Sequence, residues 1–263
     1  MENKQSEAVV LQDFQTVTLT TMNHVLEVQH MKKKNRKQTI LKLDSDSYVD
    51  LSTGEIKDFN KTINRQQNYN SLRKTFKKLR YLINNNFVGS ENELHITLTY
   101  KENMTDTKRL YSDFEKFIKR LKYKFKSLST LDYISVVEPQ GRGAWHCHCL
   151  IRFNELDKAY IKSSELQGIW GQGFVKIKSL KNIDNIGAYL SAYLTDIEYS
   201  EDKVMVAVKE QLDIVEKDVE GQSKTIIKGG RLHMYPTGLN IFRKSKGIEY
   251  PVREEMLFSD VKK

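Results

Sequence analysis

The stretch from Glu138 to Phe153 reads EPQGRGAWHCHCLIRF. It puts both cysteines of the chain, and two of its six histidines, into one alternation, His146-Cys147-His148-Cys149. Four donors of this type in a row suggest a metal centre, and the period of a β-strand decides which of them share a face. Successive strand side chains point to opposite sides. Trp145, Cys147, Cys149, Ile151 and Phe153 therefore lie together, with His146, His148, Leu150 and Arg152 on the reverse. The first set is apolar throughout, and free cysteine behaves there as a small hydrophobe. A mixed Cys/His site would need ligands from both sides of the sheet, so the sequence predicts a paired-histidine site on an uncovered face. Glu138 ends the preceding strand, and the turn through Gly141, Arg142 and Gly143 returns the chain so that its carboxylate comes beside the two imidazoles. Two imidazoles and one carboxylate suit Mn²⁺, or Mg²⁺ when phosphate oxygens complete the shell.

A second group of reactive side chains lies downstream in NIDNIGAYLSAYLTDI. Ile183, Ile186, Leu190, Leu194 and Ile197 recur at helical spacing and form a docking stripe. At about 100° per residue, Tyr189 falls roughly 100° from the centre of that stripe and Tyr193 roughly 60°, on the same flank. Gly187 costs a helix ~1 kcal/mol relative to alanine, which implies a close approach to its backbone. Taken singly, paired histidines on a wet sheet and tyrosines at a helix edge are ordinary packing features. Their combination carries the functional reading.

These residues need a scaffold, and the intervening chain supplies one. LHITLTY, Leu94 to Tyr100, alternates as a strand with His95, Thr97 and Thr99 on its polar side, so His95 is a secondary candidate ligand. TDTKRLYSDFEKFIKRLKYKF follows as an amphipathic helix with Leu110, Phe114, Phe117, Ile118, Leu121 and Phe125 in one stripe. LDYISVVE and WHCHCLIRF are the next strands, SSELQGIWG a short helix, and FVKIKSL a fourth strand. Strand-helix-strand-strand-helix-strand predicts an α+β domain, the split βαβ arrangement with an antiparallel sheet and helices on one face. We place this core at residues 89–200. Residues 1–88 read as a strand-rich extension with a helix near Arg65–Asn85, and 201–263 as a basic extension ending in RLHMYPTGLNIFRKSKGI.

Composition narrows the partners. The 263 residues carry 43 Lys and Arg against 34 Asp and Glu, a net charge of +9, with the run Met31–Lys37 the most basic. Such a surplus favours a polyanionic partner. No apolar run approaches the ~18 residues of a membrane span, and the first 30 residues lack the order of a secretory signal. Two cysteines two positions apart on one strand form no comfortable bridge, so the expected location is a reducing cytoplasm.

The His-hydrophobe-His strand resembles the motif of the HUH endonucleases, and within them the rolling-circle replication initiators of bacterial plasmids, phages and integrative elements. LHITLTY is similar to their first motif, EPQGRGAWHCHCLI to the second, and AYLSAYLTD to the third, so the resemblance spans about residues 94 to 198. It implies that His146, His148 and Glu138 hold Mn²⁺ or Mg²⁺, that Tyr189 attacks a phosphodiester of single-stranded origin DNA, and that Tyr193 acts second or instead. It also implies a 5′-phosphotyrosyl link and a free 3′-hydroxyl for the host helicase and polymerase to use. One departure stands out. The third motif commonly reads Tyr-x-x-Lys, whereas Ala192 follows Tyr189 and Asp196 follows Tyr193, leaving Lys176, Lys178 or Lys181 to supply a cation. A relaxase or single-tyrosine transposase would share these motifs, though the two extensions suit an initiator better and no G-x-x-x-x-G-K-[ST] helicase motif is visible. Non-haem iron oxygenases use two histidines and a carboxylate too, but would not call for the basic surplus or the tyrosine helix. A DNA-binding regulator with a silent site is the non-enzymatic alternative.

Overall fold

The computed structural model describes residues 10–32, 37–59, 69–141, 143–198, 213–219, 222–236 and 238–262. Arg142, most of the basic run after Met31 and the start of the segment expected to be helical from Arg65 lie outside them. In chain order the strands and helices are β1 (Thr16–Met22), β2 (Val25–Gln29), β3 (Ile40–Lys42), β4 (Ser47–Asp50), β5 (Ile56–Asp58), α1 (Tyr69–Asn86), β6 (Glu93–Leu98) and α2 (Thr107–Phe125). Then come β7 (Leu131–Pro139), β8 (Trp145–Phe153), α3 (Ser163–Trp170), β9 (Val175–Ser179), α4 (Ile186–Thr195) and β10 (Ile197–Glu198). The last are β11 (Ile214–Val219), β12 (Gln222–Ile227), β13 (Phe242–Lys244), β14 (Val252–Leu257) and α5 (Phe258–Val261). No helix among the described residues is long and apolar enough to cross a membrane.

The chain forms two compact units, residues 1–61 with 251–263, and residues 62–250. These limits differ from the sequence-based divisions after 88 and 200. α1, read as part of the N-terminal extension, packs on α4, while β13, read as part of the C-terminal extension, pairs with β7. Both are long-range pairings, which local pattern does not report. The first unit holds two antiparallel sheets, ordered β14-β1-β2 and β3-β4-β5.

The larger unit is built on an antiparallel sheet ordered β13-β7-β8-β6-β9. Without β13 this is the strand order of a split βαβ domain, so the α+β class expected from the sequence holds. α2 begins at Asp106, whose Oδ1 accepts from the backbone N–H of Lys108 at 2.8 Å and of Arg109 at 3.2 Å, capping the first turn. Its predicted stripe is buried, and Phe125 meets Phe153 while Phe114 meets Tyr133 in edge-on contacts. α2 thus covers the face that carries Cys147, Cys149 and Ile151. α3 adds the fully buried Trp170 to this layer, against Phe117, and stops at Gly171, whose φ of 72° suits glycine.

The histidine face is covered as well, which revises the expectation of an open surface. Ile134, Val136, His148 and Leu150 on that face are all at most 1% exposed. The chain around α1 and α4 supplies cover. Arg152 Nη1 donates to Asn86 O at the end of α1, and the Glu93 carboxylate accepts from the backbone N–H groups of Val88, Gly89 and Ser90 just after it. α1 and α4 meet at Gly187, as a glycine inside a helix predicts. A Cβ there would lie 2.6 Å from Arg80 O and 2.7 Å from Asn84 Oδ1. Asn84 Oδ1 accepts from Gly187 N–H at 2.8 Å, and Asn84 Nδ2 donates to Asn185 Oδ1, which in turn accepts from Ala188 N–H and caps α4.

Gly187→Ala tests this contact. Alanine ordinarily stabilises a helix by ~1 kcal/mol over glycine, but here overpacking costing about 1–3 kcal/mol opposes it. The melting temperature should fall by several degrees in calorimetry; an unchanged or raised value would show that α1 does not sit against this backbone.

Candidate functional site

The β7–β8 hairpin sets the site by register. Glu138 pairs with His146 and Val136 with His148, while on the other side of β8 Thr97 of β6 pairs with His148. Glu138, His146, His148, Thr97 and His95 therefore project from one face, within two strand spacings. His148 Nε2 lies 2.5 Å from Glu138 Oε2, and His95 Nε2 lies 3.1 Å from His148 Nδ1, with Thr97 Oγ1 at 3.3 Å from the same nitrogen. An ionised carboxylate only accepts, so His148 Nε2 carries the hydrogen. In the neutral tautomer Nδ1 then accepts, from Nε2–H of His95 or from the Thr97 hydroxyl. His146 stands apart from this chain: its Nδ1 is 3.2 Å from Gln140 Nε2, and its Nε2 is buried from solvent.

Burial and charge work against each other here. Glu138 is 3% exposed, and burial alone would push its carboxyl up; the His148 hydrogen bond and the charges of His148, Arg231 and His146 outweigh that and hold it below the ordinary range. His95 has no acidic neighbour to offset its burial. Its imidazole is pushed down to about 3, by desolvation first and then by His148, Lys178 and Lys176, so it is neutral at physiological pH. Lys176 and Lys178 reach this neighbourhood because β9 pairs with β6, setting Lys176 opposite Thr97 and Lys178 opposite His95. Lys181 is engaged elsewhere, 3.2 Å from Glu91. The cysteines are buried on the α2 side, where burial pushes both thiols up.

As donors, the side chains at this site fit a divalent cation: one ionised carboxylate with imidazoles at least one of which is uncharged. Their present arrangement is a hydrogen-bonded chain. Among the described residues, no three His, Cys, Asp or Glu side chains converge as a ready set of ligands. Glu138 and His148 each satisfy the other, so both would have to turn to share an ion.

Tyr189 and Tyr193 both belong to α4; Tyr189 is half-buried, and the Tyr193 side chain lies outside the described residues. Ile186, Leu190 and Leu194 are buried, so the predicted docking stripe is the one used. The C-terminal end of α4 is tied to the end of β7 by residues to which sequence reasoning assigned no chemistry. Arg231 Nη1 lies 2.9 Å from Glu138 Oε1, and its Nε donates to Asp196 O at 2.7 Å. Tyr235, fully buried, places its hydroxyl 3.2 Å from both Val137 O and Leu194 O. Burial pushes that phenol well up, so Tyr235 is a hydrogen-bonding strut. Both residues lie in the RLHMYPTGLNIFRKSKGI segment. A motif with tightly spaced Arg, Tyr and Pro was the available clue, and its partners on β7 are about a hundred residues away.

Residues 93–198, less than half of the chain, match the family model for replication-associated protein ORF2. The matched segment runs from the start of β6 to the end of β10 and includes both histidines, Glu138 and both tyrosines. No curated protein and no solved structure matches the chain.

The buried His95 makes stability depend on pH. Unfolded, it protonates near its ordinary 6.5; folded, it resists until about 3. The unfolded chain then binds the extra proton, so the stability His95 provides is complete above that ordinary value and is lost as pH falls through the window below it. Urea titrations between pH 4 and 6.5 should show wild-type stability falling faster than that of His95→Gln, by up to roughly 1.4 kcal/mol per pH unit. Parallel slopes would mean that His95 is not buried neutral.

Proposed function

We propose that this protein is a replication initiator that nicks and rejoins single-stranded DNA at an origin through a tyrosine, with a divalent cation as cofactor. The observation that carries the reading is that Glu138, at the head of a carboxylate–imidazole chain, and the C-terminal end of the tyrosine helix α4 are held by one side chain, that of Arg231. The match of residues 93–198 to a replication-associated family agrees with it, as does the surplus of +9 in charge, which suits a phosphate backbone and predicts salt-dependent binding.

In this reading the Tyr189 Oη attacks phosphorus. The P–O3′ bond breaks, the phenolic proton is lost, and the departing oxygen becomes a 3′-hydroxyl while the 5′-phosphate stays on tyrosine. Attack by a 3′-hydroxyl reverses the step without ATP, because the phosphodiester energy is kept in the covalent link. Glu138, His148 and His146 would hold Mn²⁺ or Mg²⁺, which when bound withdraws charge from the phosphate. The packed core beneath β8 keeps these side chains in register. Tyr189 is the first nucleophile because it lies farther from the docking stripe, and Tyr193 follows or substitutes. The free 3′-hydroxyl is then a primer for host polymerase, with a host helicase opening the duplex.

Incubation with a single-stranded origin oligonucleotide and Mn²⁺, followed by a denaturing gel, tests this. A covalent protein–DNA band is expected for the wild type and should be absent from Tyr189→Phe. A band lost only in Tyr193→Phe reverses the order of the tyrosines. Tight origin binding with no band under any divalent cation overturns the catalytic reading and leaves a DNA-binding regulator.

A further inference from the structure

We infer that Arg231 is a positioning residue that locks the Glu138 carboxylate to the tyrosine helix, an inference that rests on the reading of the site given above. Its bonds divide evenly between the two elements. Toward α4, its backbone N–H donates to Thr195 O at 2.9 Å and its Nε to Asp196 O at 2.7 Å. Toward β7, its Nη1 reaches Glu138 Oε1 and Pro139 O, each at 2.9 Å. The side chain is only 18% exposed, so these bonds are shielded from screening by salt.

The segment that presents Arg231 is fixed at both ends. Asp196 Oδ1 accepts from Gly229 N–H at 3.1 Å and from Thr195 Oγ1 at 3.1 Å. Four residues beyond Arg231, the Tyr235 hydroxyl spans Val137 O and Leu194 O. Residues 229–235 thus form a strap that crosses from the helix end to the strand end twice. A planar guanidinium is suited to this place. It directs donors to several acceptors at fixed angles, which an ammonium does not, and its charge complements the carbonyl end of a helix.

The arrangement has opposing consequences for cation binding and for catalysis. The guanidinium occupies one oxygen of Glu138 and repels any cation that approaches the other. It also holds the tyrosines at a set distance from that carboxylate. Removing it should therefore strengthen cation binding and weaken cleavage, whereas an ordinary structural ion pair would weaken both as the fold loosens.

Three measurements on the full chain test this. In metal-free protein, hydrogen exchange at the last turn of α4 should quicken in Arg231→Gln; unchanged exchange overturns the inference whether or not the protein cleaves DNA. Mn²⁺ titration should show roughly threefold tighter binding in Arg231→Gln, while the initial cleavage rate falls about tenfold or more. Binding and cleavage that weaken together overturn the positioning role in favour of a purely structural one. Arg231→Lys separates charge from geometry: Mn²⁺ affinity should return toward wild type while exchange in α4 stays fast. A wild type that neither binds Mn²⁺ nor cleaves would refute the reading of the site, and the exchange measurement would still decide whether the strap exists.

Discussion

The burial of one carboxylate organises this molecule. Glu138 ends a central strand with almost no access to water, and an isolated charge in that position would be strongly unfavourable. Two partners compensate it on different oxygens, the His148 ring on one and the Arg231 guanidinium on the other. Each partner belongs to a different part of the fold. His148 is held by the hairpin register and by His95 behind it, while Arg231 arrives after the long excursion through β10, β11 and β12. Removing either partner would leave a buried charge short of compensation, a penalty larger than the net worth of the pair itself.

That constraint explains why the histidine face is not an exposed surface. A hydrogen-bonded chain from Glu138 through His148 to His95 is stable when water is excluded and every member finds a partner. The apolar side chains around it, Ile134, Val136 and Leu150, do the excluding. Tyr235 closes the gap between sheet and helix, with Trp145 and Phe76 against its ring. The polar chain and its apolar surround are thus one packed object, and α4 is placed by both.

The core of the fold was legible from local pattern. The α2 stripe, the alternation in β8 and the hairpin that brings Glu138 to His146 follow from the two periods of regular structure and from a glycine-containing turn. Gly187 also announced its neighbour, because a glycine inside a helix is costly without a reason. The opposite outcome for the histidine face has an equally physical cause. Alternation states which side chains share a face but not what lies over it. α1 and α4 come from segments that flank the core, and nothing local in either indicates the sheet beneath.

What the sequence by itself determined is the set of residues with matching periods: two imidazoles and a carboxylate on one side of a strand pair, two tyrosines on one flank of a helix, and two cysteines turned to the core. Short-range geometry is enough for that, since it depends only on neighbours along the chain. Tertiary structure alone decided that Glu138 and His148 satisfy one another, that His95 backs the pair, and that Arg231 and Tyr235 join strand to helix. Those contacts link positions up to about a hundred residues apart, and they are selected by the need to compensate a buried charge, a need that exists only once the chain has closed around it.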